Sequence, residues 1–130
     1  MSRTNRRLER NGISHDRYME LVYFCKQYDQ KKEKLKSMTF IQSVNYNGST
    51  GGGAKDSSTE RTALERAAIE ADIKLIDDTA KEVAPGIYGA LILNVTKGIS
   101  FVYLNVPCGH NYFYKKRREF FKRLVAKKNG

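Results

Sequence analysis

Apolar side chains recur every three or four residues on both sides of a stretch, NYNGSTGGGAKDSS, that has no apolar pattern of its own. This arrangement predicts helices on both sides of an interruption near the middle of the chain. Side chains three and four apart share one face of a helix, so each run supplies a stripe that must be buried. Three consecutive glycines flanked by serines cannot bury enough apolar area to offset their ordering entropy, so residues 45–58 read as a linker. A phosphate-cradling loop is the alternative, but the Gly-Lys-[Ser/Thr] ending is missing and no apolar strand leads into it.

Before the linker, Ser14 has the chemistry of an N-cap and Asp16 falls in the first turn. Tyr18, Leu21, Cys25, Tyr28 and Leu35 then form a stripe, which predicts a helix over residues 14–44. Residues 39–47 have lower helix propensity. After the linker, Ser58 or Thr59 caps a second helix. There Ile69, Ile73, Ile76, Ala80 and Val83 lie beside a neighbouring stripe of Leu64, Ala68, Ala71 and Leu75. Two adjacent stripes predict a helix gripped on two sides. Pro85 ends it, because the residue before a proline resists helical geometry.

Beyond Pro85 two readings compete. Ile87, Tyr88, Leu91 and Val95 have helical spacing, and Lys97-Gly98 is a good helix stop. Yet residues 90–95 and 99–106 are rich in β-branched and aromatic residues around a short glycine-containing loop, which also describes a β-hairpin. A final helix is predicted from about Gly109. It has a core stripe of Phe113, Phe120 and Leu124, with Phe121 and Val125 beside it.

The formal charge of the 130-residue chain is +10, which favours a polyanionic partner, nucleic acid ahead of an anionic membrane surface. The distribution is more telling than the total. Residues 115–128 hold eight basic residues and one acid, while residues 59–84 hold seven acids against four bases. The first ten residues carry Arg3, Arg6, Arg7 and Arg10 against Glu9, and residues 1–13 read as a flexible basic arm.

The last helix combines these signals. Its core stripe anchors one face, and His110, Asn111, Tyr114, Lys115 and Arg118 fall largely on the other. A major-groove reader needs this division, with base-contacting side chains in the helix N-terminal half and phosphate contacts around them. Lys116, Lys122 and Arg123 suit the phosphates. The competing reading is a solvated basic helix with aromatics in the core.

Three stretches resemble the RinA/ArpU-type late transcriptional regulators of phages and prophages of Gram-positive bacteria. They are RYMELVYFCKQY, IKLIDDTAKEVAP and NVTKGISFVYLNVPCGHNYFYKKRREFF, beginning at Arg17, Ile73 and Asn94. The third is also similar to region 4 of sigma factors, where a Gly-hydrophobic-Ser opens the first helix of a helix-turn-helix. The resemblance implies that Gly98-Ile99-Ser100 opens such a helix and that residues 110–118 form the reader. It also favours helix over hairpin. The segment between Ser100 and Tyr114 is about two residues shorter than the general pattern, and Pro107 sits in the turn. Arg117 stands where an apolar residue is usual, which suggests pairing with a carboxylate.

The expectation is therefore an all-α protein, with residues 59–130 joining the acidic helix to a C-terminal helix-turn-helix. Its expected role is a sequence-selective regulator that binds double-stranded DNA. A dimer or higher homo-oligomer is expected, because one domain of this size has limited specificity. The basic arm adds phosphate or minor-groove contacts in this reading. RNA polymerase is a further candidate partner. The alternatives are a small terminase subunit of a phage packaging motor, an RNA-binding module using Tyr112 and Tyr114, and a polymerase-binding protein.

No catalytic constellation is legible: His15 and His110 are the only histidines, and no nucleophile elbow or zincin helix occurs. Cys108-x-His110 does not match structural zinc spacing, and Cys25 on an apolar stripe reads as a core thiol. Neither metal nor cofactor is expected. No secretory signal or membrane span is legible, so the expected compartment is the cytoplasm of a bacterial host.

Overall fold

The computed structural model describes residues 12–48 and 56–129, with side chains for 12–39 and 60–129. All regular structure among them is helical. The order is α1 (His15–Lys26), α2 (Tyr28–Gly48), α3 (Asp56–Val83), α4 (Tyr88–Lys97), a 3-10 turn (Phe101–Tyr103) and α5 (His110–Asn129). Residues 1–11 of the expected basic arm, with its four arginines, lie outside the described residues, while Ile13 at its end is buried. Helical backbone reaches Gly48 and resumes at Asp56, so both ends of the expected linker are helix and residues 49–55 are not described.

Helix α1 begins as its sequence dictates. The Ser14 hydroxyl accepts from the Arg17 backbone N–H at 3.1 Å, and Asp16 sits in the first turn. The expected single N-terminal helix is interrupted at Gln27, whose N–H turns back to the Phe24 carbonyl at 3.3 Å. The compact units follow this break instead of the linker. One comprises Met1–Gln27 with Leu75–Gly130, and the other is Tyr28–Lys74.

In the smaller unit α2 pairs with the first part of α3. Lys31 bonds Asp72 at 2.9 Å, Lys34 pairs with Glu65, and Arg66 donates to the Thr39 hydroxyl at 3.0 Å. Lys31, nearest the start of α2, meets Asp72, while Lys34 and Thr39 further along meet Glu65 and Arg66 nearer the start of α3, so the pair is antiparallel. Ile69 is buried, but Leu64 is 73% exposed and Ala68 and Ala71 are exposed. Only one of the two expected stripes on α3 is therefore gripped.

The larger unit holds the main core. Leu21 and Cys25 of α1, Ile76 and Ala80 of α3, Leu91 of α4, and Phe113, Phe120, Phe121 and Leu124 of α5 are all fully buried. Each α5 phenylalanine removes on the order of 150–250 Å² from water, which makes that helix the main contributor to the interior. Tyr18 meets Phe121 edge-on with centroids 5.1 Å apart. The buried Thr79 hydroxyl is satisfied by the Leu75 carbonyl at 2.6 Å.

The hairpin reading is incorrect. A strand would place Leu91, Leu93 and Val95 on one face, whereas Leu91 and Val95 are buried and Leu93 is 38% exposed. That is the burial pattern of a helix. Gly98 stops it with φ +71°, a left-handed conformation that glycine adopts without Cβ strain, and its N–H bonds the Asn94 carbonyl at 3.0 Å. The expected helix opening at Ser100 is also corrected: only the three-residue 3-10 turn forms there, and the Ser100 side chain makes no capping bond. Lys97 and His110 are thus joined by a connection far longer than the three or four residues of an ordinary helix-turn-helix.

Candidate nucleic-acid interface

The connection and the N-terminal half of α5 are built around Asn94. Its side-chain amide donates to the Ile99 carbonyl at 2.9 Å, holding the chain just after the Gly98 stop. Its side-chain oxygen accepts from Arg117 Nε at 2.7 Å. The Arg117 guanidinium also lies 4.9 Å from the Phe121 ring centroid and 5.7 Å from that of Tyr18. Arg117 therefore faces the interior of its own unit. The carboxylate expected for it is replaced by a neutral amide and two rings, which stabilise the cation with no opposing charge.

From Asn94 the chain runs to Phe101, which packs on α5. Its ring is 5.6 Å from His110 and 5.4 Å from Phe113. Asn105 closes the turn with φ +56°, a conformation that asparagine tolerates far better than branched residues. Gly109 accepts from the Phe113 N–H at 3.1 Å and starts α5. No acid occupies the first turn of α5, so nothing offsets the positive end of its dipole.

The expected base-reading residues have different surroundings. Asn111 and Lys115 are exposed and bond to none of the described residues. His110 is exposed but sits between rings, edge-on to Phe101 and 4.5 Å from Tyr114. Tyr114 and Arg118 are half-buried. At 100° per residue Asn111, Lys115, Arg118 and Lys122 form one continuous stripe opposite the core phenylalanines.

The expected phosphate set changes more. Lys116 bonds Glu119 at 3.3 Å and lies 5.4 Å from the Tyr112 ring. Arg123 pairs with Glu82 at 3.4 Å, and Lys127 reaches the same carboxylate at 2.6 Å. The Lys127 hydrogen bond holds the Glu82 carboxyl below its ordinary value against the opposing effect of desolvation, and the charges of Lys127 and Arg123 act in the same direction as that bond. Lys128 stacks over Phe24 at 3.9 Å. Much of the basic charge in the C-terminal half of α5 is thus engaged within the protein. Lys122 is exposed and has no partner among the described residues.

Two features escaped sequence reasoning. Between Glu82 and Glu119 the chain has no aspartate or glutamate, but it has Lys97, Lys115, Lys116, Arg117 and Arg118. Counting acids over that interval would have revealed it. The second is the exposure of Val102 and Tyr103 on the 3-10 turn, at 75% and 80%. No sequence signal distinguishes them from core residues.

Cys25 is buried, as its stripe implies, and neither Cys25 nor Cys108 is in a disulfide. Cys108 is half-buried beside Pro85, Ile87 and Tyr112 in a shallow groove. Among the described residues no group of three His, Cys, Asp or Glu side chains gathers, and no helix is long and apolar enough to cross a membrane. Comparison with family models, with curated proteins and with solved structures finds no match to this chain.

Proposed function

We propose that this protein binds double-stranded DNA through α5 and the connection before it, and that it acts as a transcription regulator of the phage and prophage kind. The observation that carries the reading is the stripe Asn111, Lys115, Arg118 and Lys122, which lies opposite the core; its first three members fall in the interval without carboxylates, and Lys122 follows Glu119. Asparagine, lysine and arginine are the side chains that pair with adenine and guanine edges in the major groove. The uncompensated N-terminus of α5 adds positive potential at the same end.

Lys122 is the leading phosphate contact in this reading. Lys116 and Arg123 are secondary, because binding DNA would compete with Glu119 and Glu82. Exposed ion pairs of that kind contribute only about 0–1 kcal/mol, so the competition is not prohibitive. Arg117 is removed from the contact set. The arm of Arg3, Arg6, Arg7 and Arg10 extends the footprint. One recognition helix reads few base pairs, so a homo-oligomer on repeated half-sites belongs to the proposal. The protein is a binder in this reading and not an enzyme.

Gel shifts on phage and host regulatory DNA across a salt series test it. Binding should weaken steeply with salt and favour some fragments over others. Lys115→Ala and Arg118→Ala should relax that preference, whereas Lys122→Ala should weaken all fragments alike. Equal affinity for every duplex would overturn the regulator reading. A closed ring of about eight or more subunits in light scattering would favour a terminase subunit instead.

A further inference from the structure

Among the described residues of the larger unit Val102 and Tyr103 form the most exposed apolar protrusion, and Phe101 just before them packs on His110 at the start of α5. A 3-10 turn has three residues per turn. With Phe101 turned inward onto His110 and Phe113, the next two side chains must splay outward, and Leu104 returns towards the interior. The turn is held at three points: the Asn94–Ile99 hydrogen bond before it, the Phe101 ring contacts within it, and the left-handed Asn105 after it. An aromatic ring and a branched aliphatic are therefore presented on a fixed mount.

We infer that this tip is a base-stacking wedge, with the Tyr103 ring entering a deformed step of the same duplex that α5 binds. The inference rests on the DNA-binding reading above. Charge complementarity selects the occupant: the tip lies in the interval without acids, whose five cations include the exposed Lys115, although Arg117 faces inward and Lys116 pairs with Glu119. Size argues the same way. Two protruding side chains are far fewer than the roughly 20–30 residues that each partner of a stable protein interface supplies. One ring is sufficient for stacking on a base, and apolar wedges at base steps are an established way to hold bent DNA.

The chain has no tryptophan, so Tyr103→Trp introduces a unique fluorophore at the tip. Full-length protein is titrated with a 24-base-pair duplex and with the same duplex carrying one central mismatch, which unstacks at lower cost. Tyr103→Trp emission should be quenched by both duplexes, more deeply by the mismatched one. Tyr23→Trp on α1, a control outside the site, should not respond. Tyr103→Ala, its fold checked by circular dichroism, should lose roughly five- to a hundredfold in affinity and its mismatch preference. Unquenched emission with intact binding overturns the wedge and leaves the DNA-binding reading standing. Unchanged affinity with an altered sedimentation mass also overturns it, making the tip a self-association contact. If the wild-type chain binds neither duplex at low salt, the DNA-binding reading fails and the wedge with it.

Discussion

Replacing Arg117 with alanine removes three things at once: the Nε hydrogen bond to Asn94 at 2.7 Å, the contact with Phe121 at 4.9 Å, and the contact with Tyr18 at 5.7 Å. A hydrogen bond to a charged group contributes about 1.5–3 kcal/mol, and each half-exposed ring contact about 0.5–1 kcal/mol. The expected cost is about 3 kcal/mol. An ordinary surface cation would cost less than about 0.5 kcal/mol. Arg117→Lys should recover little, because an ammonium lacks the planar fork that stacks and donates together. Asn94→Ala should cost about 2 kcal/mol, since it also frees the Ile99 carbonyl held at 2.9 Å. The two residues share one bond, so their losses should not add; the double mutant should fall short of the sum by about 1–2 kcal/mol. Urea unfolding followed by circular dichroism at 222 nm, with the slope checked for constancy, gives all four corners of the cycle. Additivity within about 0.5 kcal/mol would refute the linkage of α4 to α5 through this pair.

The acid limb of stability should depend on Glu82. Its carboxyl is held below the usual range by Lys127 and Arg123, so its contribution is complete above the unfolded pKa and is lost as pH falls through the folded one. The melting temperatures of wild type and Glu82→Gln should therefore differ near neutral pH and converge in acid; a gap that widens in acid would contradict the pairing. Ser14→Ala removes the bond to the Arg17 N–H at 3.1 Å and should cost about 1 kcal/mol in urea unfolding, with glycine at that position costing only a few tenths. At Asn105, whose φ is +56°, valine should destabilise by at least about 1 kcal/mol while glycine is neutral or better, judged by paired thermal melts.

The separation of Arg123 and Lys127 from the outward cations shows where sequence reasoning stops. All of them lie in one basic run and look equivalent by spacing. Glu82, which engages two of them, is 41 residues from Arg123 and 45 from Lys127. Arg117 differs in the same way, because its amide acceptor is 23 residues away on another helix.

Local chemistry was legible from the sequence alone. Ser14, the three-and-four spacing in α1, the Gly98 stop and the phenylalanines of α5 each determine structure within a turn or two, because helical hydrogen bonds and caps join residues close in the chain. The burial of Leu91 and Val95 with Leu93 outside, and the exposure of Leu64, were decided only when helices met. So were the collapse of the expected helix at Ser100 to one 3-10 turn and the outward aim of Tyr103. An apolar side chain lowers the free energy equally against any available surface, and the surface available depends on elements distant in the chain. The helical class of α1, α3 and α5 therefore belonged to the sequence, whereas residues 90–106 became distinguishable from a hairpin by their burial in the fold. Which cations point outward, and which hold the protein to itself, belonged to the tertiary structure.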